Sequence, residues 1–325
     1  MKQKLLPLLF FLLFLSGCAN LDDASTYDVV CGMTVWREGS HVQLALELAD
    51  GQARTAVTGV GSSLHDALDD ARIRRGHSVF LGHASAVVTT PADAYETAQY
   101  LIERRDARLD LRLLACEQEI ARDISDSGKI DQLFDAVDLG ARFARTCETP
   151  LFRFLEEFES EGIDPALTHV TAEHGVPVVQ GCTVFAGGGS LYLSAPETLC
   201  LQLARNRFET GAVRISSDTI LLDKGRSKLR AEVRNGQVCA TLTVRLTADA
   251  TEKYTAQVEA EVTNQLRTFF DRMRREGADP VGIGRYVERH FPDEWPNLRD
   301  HYLETLSVEV SVSVKASPHP RMKED

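Results

Sequence analysis

The clearest pattern of hydrophobic and polar positions lies in the last third of the chain. Residues 229–246 alternate apolar and polar side chains around Asn235-Gly236, a pair suited to the positive φ angles of a two-residue hairpin turn. The spacing then becomes helical, with an apolar stripe that contains Tyr254, Val258, Val262, Leu266, Phe269 or Phe270, and Met273. Residues 306–314 place valines on one face of a strand. This pattern predicts a domain of hairpin, long helix and returning strand over residues 223–316.

The first half of the chain alternates segments of strand and helix character. The segments that predict strands are residues 27–35, 41–48, 79–89 and 109–116. Either Ser62 or Ser63 can cap a helix over residues 64–75, and further helices are predicted within residues 91–162. Because strands alternate with helices, we expect an α/β domain over residues 18–168.

A small α+β domain is predicted over residues 169–222. Residues 176–185 predict a strand that ends in a glycine turn at residues 187–189. Ser194 and Glu197 have the spacing of a capping box, which predicts a helix directly after Ser194.

A further strand is predicted over residues 213–222, directly before the hairpin. Taken together, the patterns predict an α+β or α/β fold class with three small mixed domains, each a sheet covered by helices. Residues 317–325 are polar and charged and predict a disordered tail.

The N-terminus has the features of an exported protein. Lys2 and Lys4 precede an apolar run over residues 5–15, which is too short to cross a bilayer comfortably and predicts a signal peptide over residues 1–17. The run ends in Leu-Ser-Gly-Cys, which resembles the bacterial lipobox and predicts a diacylglyceryl lipid on Cys18. The alternatives are an ordinary secreted protein that is cut elsewhere and an uncleaved membrane anchor.

Composition limits the partners of the remaining chain. Beyond Cys18 no apolar stretch approaches the roughly 18 to 20 residues of a membrane-spanning helix, so we expect a soluble ectodomain. The net charge of −12 argues against nucleic acid and against flat adsorption on anionic lipid. The other cysteines permit three disulfides, but their apolar surroundings favour buried thiols. They are Cys31, Cys116, Cys147, Cys182, Cys200 and Cys239.

The sequence contains no pattern typical of a catalytic or metal site. His169, Glu173 and His174 lie close together, but they do not form an H-E-x-x-H motif, and this polar stretch is predicted to be an interdomain loop. Gly282 and Gly284 follow a helix rather than a strand, which argues against a dinucleotide fingerprint. We therefore predict a protein that is not an enzyme and has no cofactor besides the lipid on its N-terminus.

Several short motifs together resemble the Ger(x)C family, the lipoprotein C subunits of spore germinant receptors. The motifs in the first part of the chain are the lipobox, residues 63–68, Leu81-Gly82-His83, residues 162–165 and residues 181–185. The most specific likeness is near the C-terminus, where Asp279-x-x-Gly282-x-Gly284 is followed by Pro292-x-x-Trp295 and then by the valine strand.

The resemblance implies a three-domain lipoprotein on the outer face of the spore inner membrane. It implies that the chain assembles with integral-membrane A and B receptor subunits and acts in germination through protein contacts. For the motif residues, structural roles are favoured over direct partner contact, with His83 expected as a hydrogen-bonded core histidine on an apolar strand. The motif residues are His83, Asp279, Gly282, Gly284, Pro292 and Trp295.

Two other functions remain as alternatives. A solute-binding lipoprotein of a transporter would need two lobes around a ligand cleft, and the chain has no repeated α/β halves. A surface hydrolase would need carboxylates that assemble only in three dimensions.

Overall fold

The computed structural model describes residues 27–50 and 53–317 of the chain. Cys18, the predicted signal peptide and residues 318–325 of the predicted tail lie outside the described residues. The lipid anchor and the disordered tail therefore stay predictions. Among the described residues, no helix is both long enough and apolar enough to span a membrane.

Within the described ranges, nine strands form one mixed sheet. They are β1 (Tyr27–Glu38), β2 (His41–Asp50), β3 (Ala53–Gly61), β4 (Ser78–Phe80), β5 (Ala86–Thr89), β6 (Arg112–Ala115), β7 (Ala166–Glu173), β8 (Val176–Ala186) and β9 (Gly189–Leu193). Their order is β3-β2-β1-β5-β6-β7-β8-β9, and the short β4 pairs with β1. The central pairs, from β1 through β5 and β6 to β7, are parallel, and antiparallel strands form both ends.

Helices cover both faces of this first sheet. They are α1 (Leu64–Arg75), α2 (Ala94–Glu103), α3 (Gln118–Ile124), α4 (Leu133–Arg142) and α5 (Leu151–Glu159). One face is packed by α1, α2 and α5, which bury Leu68, Leu101 and Phe154. The other face is packed by α3 and α4, which bury Ile124 and Val137. The central strands are thus buried on both sides, as is usual for parallel strands.

The second sheet has four strands in the described chain, in the order β10-β11-β12-β13. They are β10 (Thr210–Ile215), β11 (Asp218–Arg234), β12 (Gln237–Ala248) and β13 (Ser307–Ala316). The long helix α7 (Glu252–Arg275) packs on one face, and α6 (Ala195–Ala204) lies between the sheets. Leu199 and Leu203 of α6 share one core with Val184 of the first sheet and Leu242 of the second. The two sheets are therefore joined by continuous apolar packing.

Three short helices connect α7 to β13. They are α8 (Ile283–His290), α9 (Trp295–Leu298) and α10 (Tyr302–Thr305). They lie beside the loop that joins α5 to β7, and this contact becomes the candidate site described below.

The mixed α/β fold class is confirmed, and several local predictions agree with the structure. Helix α1 begins after Ser63, which caps it: the Ser63 side chain accepts a hydrogen bond from the Asp66 N–H at 3.2 Å. Ser194 and Glu197 form the predicted capping box of α6. The hairpin turn between β11 and β12 has positive φ angles at both central residues, as an Asn-Gly turn requires.

The sheets divide the chain differently from the three predicted domains. Two sheets account for the described strands, and the predicted boundary between residues 168 and 169 falls inside β7. The boundary between residues 222 and 223 falls inside β11. The stretch around His169 was predicted as a loop, but it forms strand β7. The Nδ1 atom of His169 lies 3.0 Å from Thr183 Oγ1 of β8. Composition changes at these points, but strand pairing continues across them.

Two predicted strands are each divided by a turn. Residues 79–89 form β4 and β5, separated by a turn at Gly82-His83 in which the Ala84 N–H donates to the Leu81 carbonyl at 2.9 Å. Residues 213–222 are divided by a turn at Ser216, whose φ is +55°. Both turns lie within runs of strand-forming residues, so the sequence pattern alone predicted one strand in each place.

Candidate functional site

The most specific motif of the sequence, Asp279-x-x-Gly282-x-Gly284, is built around one buried carboxylate. Asp279 is 4% exposed. Its carboxylate accepts hydrogen bonds from the backbone N–H groups of Gly282 and Gly284, each at 2.8 Å. It accepts a third from the hydroxyl of Tyr302 at 2.9 Å. The backbone donors belong to the start of α8, which has no other side-chain cap. Asp279 therefore acts as the cap of α8.

The two glycines of the motif are required by the geometry. Gly282 precedes α8 with φ at +85°, a conformation that residues with a Cβ atom rarely adopt. A Cβ atom on Gly284 would lie 2.7 Å from the Cα atom of Gly162 and from the Tyr302 hydroxyl. Glycine at position 284 thus permits the close approach of two backbone segments.

The second of these segments is the loop between α5 and β7, at residues 162–165. The carbonyl of Gly162 accepts the N–H of Arg285 at 2.7 Å. Asp164 and Asp279 are joined by two hydrogen bonds. The Asp164 N–H donates to the backbone carbonyl of Asp279 at 2.9 Å. The Asp279 N–H donates to the Asp164 side chain, at Oδ2, at 2.5 Å. Two motifs that are distant in sequence therefore form one contact between the two sheets, which we call the junction.

Burial changes the titration of the acidic groups at the junction. Burial, together with the charge of the nearby Asp279 carboxylate, raises the pKa of the Asp164 carboxyl to about 6. Burial also raises the pKa of Asp279, although the hydrogen bonds from the start of α8 oppose this shift. The pKa of the Tyr302 hydroxyl is raised by burial first and by Asp279 second. The hydroxyl of Tyr302 therefore remains a donor to Asp279 at neutral pH.

Trp295 forms a second attachment at the junction. It is 5% exposed, its Nε1–H donates to Glu161 Oε2 at 3.1 Å, and its ring lies 5.4 Å from that of Tyr302 between centroids. Arg299 Nη1 donates to the other oxygen of Glu161 at 3.0 Å. The end of α5 is thereby bound to α9 as well as to α8.

The structure separates the remaining motif residues from this cluster. Pro292 is exposed in the turn between α8 and α9. His83 is also exposed, in the turn between β4 and β5, with its ring 6.0 Å from that of Phe80 between centroids. The expectation of a core histidine on a strand was wrong, because the chain turns at Gly82 before β5 begins.

Other groups at the junction were not singled out from the sequence. Glu161, Tyr302 and Arg205 have no local pattern that marks them, because their partners are distant in the chain. Arg205 Nε donates to the carbonyl of Pro280 at 2.5 Å.

Elsewhere, the six cysteines of the described ranges are free thiols, and those at 116, 147, 182 and 200 are buried.

The junction has little capacity for chemistry on a substrate. The Asp279 carboxylate is occupied by three donors and is closed to solvent. No group of three His, Cys, Asp or Glu side chains that could hold a metal ion occurs in residues 27–50 and 53–317. Beside the junction lies a cavity of about 630 Å³, lined in part by Asp164 and by Tyr95 and Phe158, whose ring centroids are 4.4 Å apart.

The segment that contains the motif matches a known protein family. Residues 180–317 match the family described as "Spore germination B3/ GerAC like, C-terminal". The matched segment is less than half of the chain. The structure of the chain resembles the crystal structure of the GerBC protein with a TM-score of 0.57 and 15% sequence identity, covering 88% of this chain and 96% of that chain. No curated protein sequence matches the chain.

The matched segment covers more than the second sheet. It begins at residue 180, inside β8, and so includes the last strands of the first sheet as well as α6 to α10. At 15% identity, the likeness to GerBC shows a common fold over most of both chains. The motif residues Asp279, Gly282, Gly284 and Trp295 lie together at the junction.

Proposed function

We propose that this chain is the C subunit of a nutrient germinant receptor and acts in spore germination through contacts with other proteins. The match of residues 180–317 to the GerAC-like family carries this proposal. A role without catalysis is supported by the junction, where the motif residues satisfy one another's hydrogen bonds.

The proposal includes a lipid anchor on Cys18. A diacylglyceryl group there would hold the described part of the chain on the outer face of the spore inner membrane, beside integral-membrane A and B subunits. The apolar run and the Leu-Ser-Gly-Cys sequence support this anchor. Two acyl chains on one cysteine bind a membrane stably, whereas a single chain gives only reversible binding.

The anchor is tested by Cys18→Ala in a strain that lacks the A and B subunits. We expect the wild-type chain in the membrane fraction, with an intact mass that includes the lipid, and the variant in another fraction without it. Cys31→Ala is the control, because it removes a half-buried thiol outside the lipobox. A Cys18→Ala chain that remained fully bound to membranes would show that the lipid anchor is wrong.

The receptor role is tested by purification of the tagged chain from detergent-solubilised spore membranes. We expect two integral-membrane proteins to copurify with it, and we expect deletion of the gene for this chain to slow germination in nutrients. If neither result were obtained, the chain would not be a receptor subunit.

A second candidate is a solute-binding lipoprotein that supplies a transporter. The cavity of about 630 Å³ beside the junction favours it, because aromatic rings and the Asp164 carboxyl converge there. Calorimetry of the purified protein with amino acids and sugars separates the two candidates. Tight binding that is lost in Tyr95→Ala, and kept in Tyr100→Ala on the same helix outside the cavity, would favour this second function.

A further inference from the structure

A second cavity, of about 330 Å³, lies among α5, the end of α6 and α8. Six of its lining side chains are basic: Arg153, Arg205, Arg207, Arg285, Arg289 and His290. Glu157 is the one acidic residue in that lining. The chain as a whole carries a net charge of −12, so this concentration of positive charge is opposite in sign to the rest of the protein.

The acidic groups nearby do not neutralise this cavity. Glu157 is shared by Arg153, at 3.0 Å, and Arg205, at 3.2 Å. Arg285 forms an ion pair with Glu156, which is outside the lining. Arg207 has no ion pair in the described part of the chain. Glu157 also attracts Arg207, so three guanidinium groups share one carboxylate.

Arg205 is the buried member of the cluster. Its side chain is 5% exposed, and its Nε and Nη2 atoms donate to the Pro280 carbonyl and to Glu157. Its Nη1 atom is buried and has no hydrogen-bond partner among the described residues. Because this side chain is closed to solvent, its positive charge lies behind the wall of the cavity.

The pKa of Arg207 is a second sign of uncompensated charge. Burial, together with the charges of the neighbouring Arg205 and Arg153, lowers this pKa to about 10. Arg207 still carries its charge at neutral pH, so the fold holds three guanidinium groups close together with one shared carboxylate. Such an arrangement is unfavourable unless an anion binds there.

We propose that this cavity binds a phosphate group, with Arg207 as its main donor and the positive charge of Arg205 behind it. Guanidinium groups donate pairs of hydrogen bonds to phosphate oxygens, and phosphate offers enough oxygens and charge to contact several of them at once. A single carboxylate would leave more of the positive charge uncompensated. The phosphate belongs either to a small soluble compound or to the headgroup of an anionic phospholipid.

The binding is measured by calorimetry with sodium pyrophosphate at low salt, using the full chain purified in a non-ionic detergent. Arg207→Met removes the guanidinium group and keeps an apolar side chain of similar length. We expect this variant to bind about ten- to a hundred-fold more weakly than wild type, the effect of losing hydrogen bonds to a charged group. Arg234→Met is the control, because Arg234 is an exposed arginine of β11 that pairs with Glu232.

The two sources of phosphate are distinguished with mixed micelles. Detergent micelles that contain phosphatidic acid are compared with micelles that contain phosphatidylcholine, and a lipid anchor would enter both alike. Protection against thermal unfolding by phosphatidic acid, lost in Arg207→Met, would identify a headgroup site. Protection by pyrophosphate in both kinds of micelle, with no effect of phosphatidic acid, would identify a site for a soluble phosphate compound.

The proposal is overturned if neither pyrophosphate nor phosphatidic acid binds, or if Arg207→Met and Arg234→Met change binding equally. Should Arg207→Met fail to fold, Arg289→Met takes its place, because Arg289 is an exposed member of the same cavity. The proposal is independent of the receptor role, since binding is measured on the purified chain.

Discussion

Two clusters of charged side chains lie beside the start of α8, namely the junction and the arginine cavity. They differ in whether their charged groups are paired within the chain. At the junction, the carboxylate of Asp279 is occupied by three donors of the chain itself. In the arginine cavity, Arg153, Arg205 and Arg207 share the single carboxylate of Glu157, and Arg207 forms no ion pair within the described residues. A cluster that satisfies its own groups stabilises the fold, whereas a cluster with unused donors is suited to an external ligand.

The largest expected effect is the loss of the carboxylate at the junction. Asp279→Ala would leave the N–H groups of Gly282 and Gly284 and the hydroxyl of Tyr302 without their acceptor. We expect the free energy of unfolding to fall by about 3–5 kcal/mol, as measured by urea denaturation. Asp271→Ala is the control, since the Asp271 side chain is 71% exposed. A loss below about 1 kcal/mol would contradict the role of the junction.

The next effect concerns the close approach of the two backbones. Gly284→Ala would place a methyl group 2.7 Å from Gly162 Cα and from the Tyr302 hydroxyl. Because this contact requires backbone to move, we expect a loss of about 1–3 kcal/mol in the same measurement. Gly189→Ala should be tolerated, because the nearest atom to its new Cβ would be 3.8 Å away. Equal effects of the two substitutions would argue against a tight junction.

A smaller effect depends on pH and concerns Asp164. Its pKa of about 6 in the folded protein is above the ordinary value of 3.8, so folding favours the protonated form. The stability that Asp164 contributes is present below about pH 4 and is lost as the pH rises to about 6. Asp164→Asn keeps an acceptor for the Asp279 N–H, so we expect it to exceed wild type by about 1–2 kcal/mol at pH 7. Urea titrations across this range should show the difference disappear near pH 4.

The smallest effect has the opposite sign to the effects of Asp279→Ala and Gly284→Ala. Without phosphate, Arg207→Met removes an uncompensated and partly buried charge, so we expect the free energy of unfolding to rise by up to about 1 kcal/mol. Thermal unfolding in phosphate-free buffer, with Arg234→Met as the reference, measures it. A clear decrease would assign Arg207 a structural role, and the contrast between the two clusters would be lost.

Elements with one buried face were predictable from the sequence. The stripe of Val258, Val262 and Leu266 predicted α7 because burial on one side of a helix fixes the spacing of apolar residues. Ser63 and the Asn235-Gly236 pair predicted a helix start and a turn because each acts through local hydrogen bonds or backbone angles. Strand β3 was not predicted, since most of its described side chains are exposed or half-buried and give no strong pattern.

The site was predictable only in its parts. Residues 162–165 and Asp279-x-x-Gly282-x-Gly284 were each singled out, but nothing in either segment indicates that they touch. The arginine cavity was not predicted at all, because Arg153, Arg207 and Arg289 come from three elements that meet only after the sheets have packed. Pairings between distant residues depend on the tertiary fold, which a local pattern does not encode.

Strand β8 has a practical consequence for the exchange of parts between related chains. The matched segment begins inside that strand, which pairs with β7 on one side and β9 on the other. A fragment that started at residue 180 would lose the partner strand of β8, along with the loop that holds α8. Chimaeras cut at that point would expose an unpaired strand and should aggregate, so grafting experiments ought to transplant the whole polypeptide from β1 to β13.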